Sequence, residues 1–255
     1  MDPATLTGMG LALGALLTTM LLEGSSPLAL LLLPPLILVF GGTFGAGIAG
    51  STSSDLRHLS RWFRLALTPQ RVPSAAERIS DLVDLAARAR REGLLALDRG
   101  VNDIPDLFLR RALRLAIDGT DPEELQEVLE AEIAARRTDD AVASRFFLRL
   151  GGYAPTIGII GTVVGLIHVL ATLDNQQTLG PLIASAFVAT LWGVLSANFF
   201  WLPMSTRITR TSELRTAQMR LLLSGVADIQ AGVSPRAMRQ RLTALLPPSE
   251  VQQAA

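Results

Sequence analysis

The chain reads as an all-α, polytopic membrane protein with four transmembrane helices and a cytoplasmic helical domain. Three observations predict this. Four apolar stretches, Leu6–Leu22, Leu28–Ala49, Gly151–Leu173 and Pro181–Leu202, are almost free of charge, and each approaches the roughly 20 residues a helix needs to cross about 30 Å of hydrocarbon. The charged residues are segregated into the long segment between the second and third stretches and into the tail. No segment of useful length alternates apolar and polar residues as a half-buried strand would. With 255 residues, 49% hydrophobic and 18% charged at zero net charge, the chain has room for such spans and one modest soluble domain.

The N-terminal MDPATLTG carries an acid and no base, so it lacks the basic region of a secretory signal, and the first span is expected to stay in the mature protein. Leu6–Leu22 is about the minimum spanning length, and its small and hydroxyl residues suit a packed interface. A short turn containing Glu23 follows. Leu28–Ala49 holds Pro34 and Pro35 in its first half, which predicts a kink or break. Arg57, Arg61, Arg64 and Arg71 then crowd the exit, which the positive-inside rule assigns to the cytoplasm. The soluble segment runs on helical periodicity. Ser74 caps one helix, with Ile79, Leu82, Val83 and Leu85 on a face, and Thr120 or Asp121 caps another that has Pro122 in its first turn.

The third stretch sets Gly158, Gly161 and Gly165 at spacings of three and four, so the smallest side chains share a face and another helix can come close. Thr162 lies beside that face. Pro155, one turn inside, removes a backbone donor. The fourth stretch repeats the pattern with Ala186, Ala189, Thr190, Gly193 and Ala197, and Trp201 at its end is expected to anchor in the membrane interface. Arg207, Arg210, Arg215 and Arg220 follow. Both hairpin loops lack arginine, so they are expected outside and both termini inside. The tail reads as an amphipathic helix over Ser205–Gly225 and a second helix after Ser234. The expected divisions are 1–50 for the first two spans, 51–150 for the cytoplasmic domain, 151–204 for the third and fourth spans and 205–255 for the tail.

Several function classes are disfavoured. There is no cysteine, and two distant histidines make no zinc site. No nucleophile with a base, no glycine-rich phosphate loop and no metal-ligand cluster argues for an enzyme or a cofactor. There is no basic footprint for nucleic acid. The two halves show no internal repeat of the kind transporters carry. The third and fourth spans contain no acid, so a carboxylate in any ion path must come from another chain.

The segments GGYAPTIGIIGTVVGLIHVL and LGPLIASAFVATLWGVLSANFFWLP, with RREGLLALD and LRLAIDGTDPEELQEVLEAEI, resemble the MotA family of flagellar-motor stator subunits, related to the TolQ and ExbB energising proteins. The resemblance covers nearly the whole chain. It implies a multi-pass protein of the bacterial inner membrane, in which a homopentamer surrounds a dimer of a MotB-like partner that supplies the membrane aspartate. Flow of H+ or Na+ then turns the pentamer, and the cytoplasmic domain pushes on the rotor protein FliG. An envelope energiser of the TolQ or ExbB kind is the alternative.

The same resemblance assigns residues. Thr162 and Thr190 match threonines that face the partner's aspartate. Thr at the first position resembles sodium-driven stators, whereas Ala189 stands where those stators often add another Thr; the two signals conflict and leave both H+ and Na+ open, with sodium slightly favoured. Pro155 and Pro203 match prolines that flank the channel and couple it to the cytoplasmic domain. Arg90 and Asp98 match the charged pair that meets FliG, with Asp where many members have Glu. His168, near the outer end of its span, is expected at an interface or in contact with water.

Overall fold

The structure, a computed structural model, describes residues 3–68, 73–174 and 176–247, so Arg71 of the basic exit lies outside the described residues. Every regular element among them is helical. In chain order they are α1 (Pro3–Leu22), a 3-10 turn (Pro27–Leu30), α2 (Leu33–Leu36), a π-helical turn (Ile37–Gly41), α3 (Gly42–Ala49) and α4 (Ser53–Leu67). Then come α5 (Ala75–Glu92), a second 3-10 turn (Leu94–Leu97), α6 (Asp98–Val101), α7 (Leu107–Ile117) and α8 (Pro122–Ala171). Last are α9 (Gln176–Ser196), a second π-helical turn (Ala197–Trp201), α10 (Leu202–Gln230) and α11 (Pro235–Ala244).

The caps expected from sequence form. Ser74 Oγ accepts from the Glu77 amide at 3.2 Å while Glu77 accepts from the Ser74 amide at 3.1 Å, a reciprocal box that starts α5. Asp121, not Thr120, serves α8, accepting from the Glu123 amide at 2.9 Å. Ser234 caps α11.

One expectation changes. The helix after Asp121 and the third apolar stretch are one 50-residue helix, because nothing between Thr138 and Leu150 breaks it and Pro155 is accommodated within it. Of the four expected spans, two helices among the described residues, Pro122–Ala171 and the run Gln176–Gln230, are long and apolar enough to cross a membrane by length and composition, and Thr7–Leu22 and Leu33–Ala49 are shorter apolar helices. The prolines explain the second case. The chain is extended at Leu32 (φ −82°, ψ 122°), and the helix starts at Leu33, so Pro34 and Pro35 occupy a first turn where a missing amide donor costs little. The expected break therefore falls ahead of the prolines.

The chain forms two compact units, Met1–Gln70 with Asp140–Arg210, and Arg71–Asp139 with Thr211–Ala255. In the first, Trp62 and Ala66 of α4 share a buried cluster with Phe146, Phe147 and Leu150 of α8 and with Trp201. Trp62, Ala66 and the stretch from Ala143 to Leu150, which fall in the expected 51–150 segment, thus contribute to the core of this unit. Trp201 is 5% exposed and is packed inside this unit, not held out as an anchor. The second unit has an aliphatic core in which Ile79, Leu82, Leu109, Leu113, Leu125 and Leu129 are fully buried. Asp106 caps its α7, accepting from the Phe108 and Leu109 amides, and pairs with Arg78 at 2.5 Å.

Candidate functional site

Within the first unit α8 and α9 meet along a seam of small residues. A Cβ at Gly158 would stand 2.9 Å from the Ala189 carbonyl oxygen and 3.1 Å from Thr190 Cα, and one at Gly193 would stand 2.7 Å from the Ala154 carbonyl oxygen. These are backbone atoms, so no rotamer change can make room. Gly161 faces the Ala189 methyl and Gly165 the Ala186 methyl, both 2.7 Å from a Cβ built there. The glycine spacing seen in the sequence is the spacing of this contact.

The backbone approach brings Thr162 and Thr190 together. Their hydroxyls are hydrogen bonded to each other; Thr162 Oγ1 also lies 3.0 Å from the Ala186 carbonyl oxygen, and Thr190 Oγ1 lies 3.3 Å from that of Gly158. Each hydroxyl has one proton and two lone pairs. Whichever donates to the other keeps both of its own lone pairs open, while its partner donates to a carbonyl. The pair is half-buried and can accept from a water or give oxygen ligands to a hard cation.

The other expected residues fall in separate places. Ala189 is buried and packs on Gly161, next to the hydroxyl pair. Pro155 lies inside α8, where it leaves the Gly151 carbonyl without its usual donor. Pro203 lies two residues past Trp201, the end of the π-helical turn, whose cap residue Leu202 donates its amide to the Ala197 carbonyl five residues back. The wider turn relieves the clash that a proline ring makes with the preceding turn. Arg90, in the last turn of α5, and Asp98, at the start of α6, belong to the other unit; both are exposed, and neither makes an ion pair among the described residues. His168 is exposed on α8.

Sequence reasoning missed a chain of eight aromatic rings in the first unit. It runs from Trp192 on α9 to Phe40 (5.8 Å between ring centroids), Trp201 (6.4 Å), Phe44 (5.3 Å), Phe63 (6.1 Å), Phe147 (5.1 Å), Phe146 (5.6 Å) and Trp62 (5.4 Å). Phe40 and Trp201 sit in the two π-helical turns, so these two irregular turns touch each other. Trp192 also donates to the Leu30 carbonyl at 2.7 Å, which ties the turn before α2 to α9. The signal available beforehand was the clustering of aromatics at the membrane exits, in WF, FF and FFW. Ser144 was missed too; its buried hydroxyl joins Ser205 and Thr209 at 3.0 and 2.8 Å, linking α8 to α10.

The model of the MotA/TolQ/ExbB proton channel family matches residues 101–221. Motility protein A of Bacillus subtilis (strain 168) is 32% identical over 97% of this chain and 92% of its own length. Chemotaxis protein PomA of Vibrio alginolyticus is 32% identical over 62% of each chain. Among solved structures, the flagellar MotAB stator complex from Bacillus subtilis superposes with a TM-score of 0.91 at 31% identity, covering 99% of both chains. The structure of C. jejuni MotAB gives a TM-score of 0.91 at 27% identity and 97% coverage of both.

Proposed function

The chain belongs to the MotA/TolQ/ExbB proton channel family, and from that membership we propose that it is the ion-conducting stator subunit of a bacterial flagellar motor, working with a MotB-like partner. The relatives named above are motility proteins and MotAB stators, which favours this reading over an envelope energiser. One observation supports the ion path in particular: the Thr162–Thr190 hydroxyl pair, held at a glycine seam in a stretch that contains no acid. Oxygens that accept but cannot ionise suit the wall opposite a carboxylate. The partner's membrane aspartate supplies the ionisable group, and this chain supplies neutral oxygens that solvate the ion on its way through.

The rest of the assignment follows from the family. The chain is a multi-pass inner-membrane protein with both termini cytoplasmic. α1 and the helix Leu33–Ala49 are its two further, shorter spans, and five copies surround two of the partner. Pro155 and Pro203 flank the path and couple its state to the cytoplasmic helices. Arg90 and Asp98, exposed and without an ion pair among the described residues, offer charges to FliG, where complementary electrostatics set register and on-rate.

The test is Thr190→Val, which removes one oxygen at nearly constant volume. Torque is expected to be abolished or strongly slowed with the complex still assembled in the membrane; normal swimming would overturn the ion-path assignment. Asp98→Arg is expected to weaken rotor engagement without changing ion conduction. Replacing sodium by potassium at fixed pH, with a protonophore in a parallel arm, identifies the ion: collapse without sodium makes Thr162 a cation ligand, and collapse only with the protonophore makes it a water-binding group.

A further inference from the structure

We propose that the outer face of α4 is a binding site for anionic phospholipid headgroups, built from Ser53, Arg57, Ser60 and Arg64. The proposal rests on the reading that α3 ends at a membrane surface. Three residues separate Ala49 from Ser53, so the start of α4 cannot stray more than about 14 Å from the end of α3. Its middle is drawn back toward the apolar layer. The Phe63 ring lies 6.1 Å from that of Phe44, which is five residues, or about 7.5 Å, inside the end of α3. Phe63 also packs edge-on against Phe147 at 5.1 Å, and Trp62 packs on Phe146. These contacts hold α4 beside the last turns of α3, at headgroup depth, and keep it from hanging free in the aqueous phase.

The two sides of the helix then differ in chemistry. Trp62 and Ala66 are buried against the first unit. On the opposite side Ser53, Arg57, Ser60 and Arg64, at spacings of four, three and four, form one exposed row. The only acid in α4 is Asp55, which lies off this row and is engaged with the Thr52 amide and hydroxyl in the N-terminal capping box. Arg57 and Arg64 make no ion pair among the described residues. The flank of the row is apolar, with Leu56 exposed and Leu67 half-buried on either side of Phe63, whose ring is taken up by Phe44 and Phe147. Guanidinium groups bind phosphate oxygens through paired charged hydrogen bonds, serine hydroxyls add single donors, and an apolar flank suits the acyl boundary just beneath. A soluble acidic partner would explain the arginines but not that flank or the depth.

The experiment uses the full-length chain inserted into vesicles of equimolar phosphatidylglycerol and phosphatidylcholine, extracted in mild detergent, with the retained lipid quantified. The wild type is expected to retain phosphatidylglycerol preferentially, and 0.5 M salt to reduce the preference. Arg57→Gln with Arg64→Gln is expected to weaken retention by up to about 30-fold, from roughly fivefold per arginine near an anionic surface. The double Lys variant should keep most of it. Unchanged melting temperature in the Gln pair confirms that folding is not the cause. Equal retention of the two lipids by the wild type, an undiminished preference in the Gln pair, or full displacement by inorganic phosphate would overturn the proposal. So would crosslinking from position 57 that captures a second copy of the chain instead of lipid. Failure of the chain to insert at all would sink the membrane reading itself. Neither result depends on ion flow or rotation, so the site and the ion path are tested separately.

Discussion

Where α8 meets α9 in the first unit, the touching residues are Gly158, Gly161, Gly165, Gly193, Ala186 and Ala189; where helices meet in the second unit, they are Ile79, Leu82, Leu109, Leu113, Leu125 and Leu129. Each set makes a close helix contact, but by different physics. In water, burying a leucine side chain is worth about 1.5–3 kcal/mol because apolar surface leaves the solvent. Among lipid tails that gain vanishes, and association relies on backbone proximity, dispersion and interhelical hydrogen bonds. The two surfaces teach that a helix contact can be read for its solvent: large residues where water is the alternative, small ones and hydroxyls where lipid is.

Gly158→Leu should break this comparison hardest. Its new side chain has only the backbone of residues 189–193 in front of it, so the complex should be lost from the membrane and motility with it; assembled, motile cells would show that the seam is not a tight contact. The matching change in the second unit, Gly225→Ala, places a Cβ 2.5 and 2.8 Å from the two methyls of Leu82, a buried side chain that must shift within its core. It should cost only about 1–3 kcal/mol, read as a modest fall in melting temperature. Between these lies Leu82→Ala, which empties a fully buried site and should cost about 2–5 kcal/mol while leaving conduction by assembled complexes unchanged.

Asp106→Ala sharpens the same contrast. It removes the cap of α7 and leaves Arg78, only 14% exposed, without its carboxylate, for about 2 kcal/mol in a thermal melt of the full chain. The smallest effect concerns Asp55. The Thr52 amide, then the Thr52 hydroxyl, hold its carboxyl below the ordinary carboxylate range. A lowered folded pKa means that its stabilising contribution is complete above the ordinary aspartate value and is lost as pH falls through the lowered one. α4 helicity should therefore fray slightly only in strong acid, by circular dichroism, and Asp55→Asn should remove that pH dependence.

The legible parts of the molecule were those written in local spacing. Ser74 with Glu77, and Asp121 with Pro122, place helix starts within a residue because a cap acts on amides two or three positions away. The small-residue rows of α8 and α9 were legible for the same reason. The length of α8 was not, since the absence of a stop signal is harder to see than its presence. Trp201 was read as an anchor because tryptophan at the end of an apolar run usually is one, yet its ring is closed in by Phe40 and Phe44. Aromatic stacking joins residues as distant in sequence as Phe63 and Phe147, and no periodicity records that.

Taken alone, the sequence determined four apolar runs, an acid-free pair of candidate pore helices, the caps, and membership in a family of stator subunits. Tertiary structure alone decided that Thr162 and Thr190, 28 residues apart, share a hydrogen bond, that Ala189 covers Gly161, and that α4 folds back beside α3. The physical reason is that composition and periodicity specify which face of each helix is small, apolar or charged. The rotation and depth at which two faces meet depend on all the contacts at once, and here they are set by backbone touching backbone at Gly158 and Gly193.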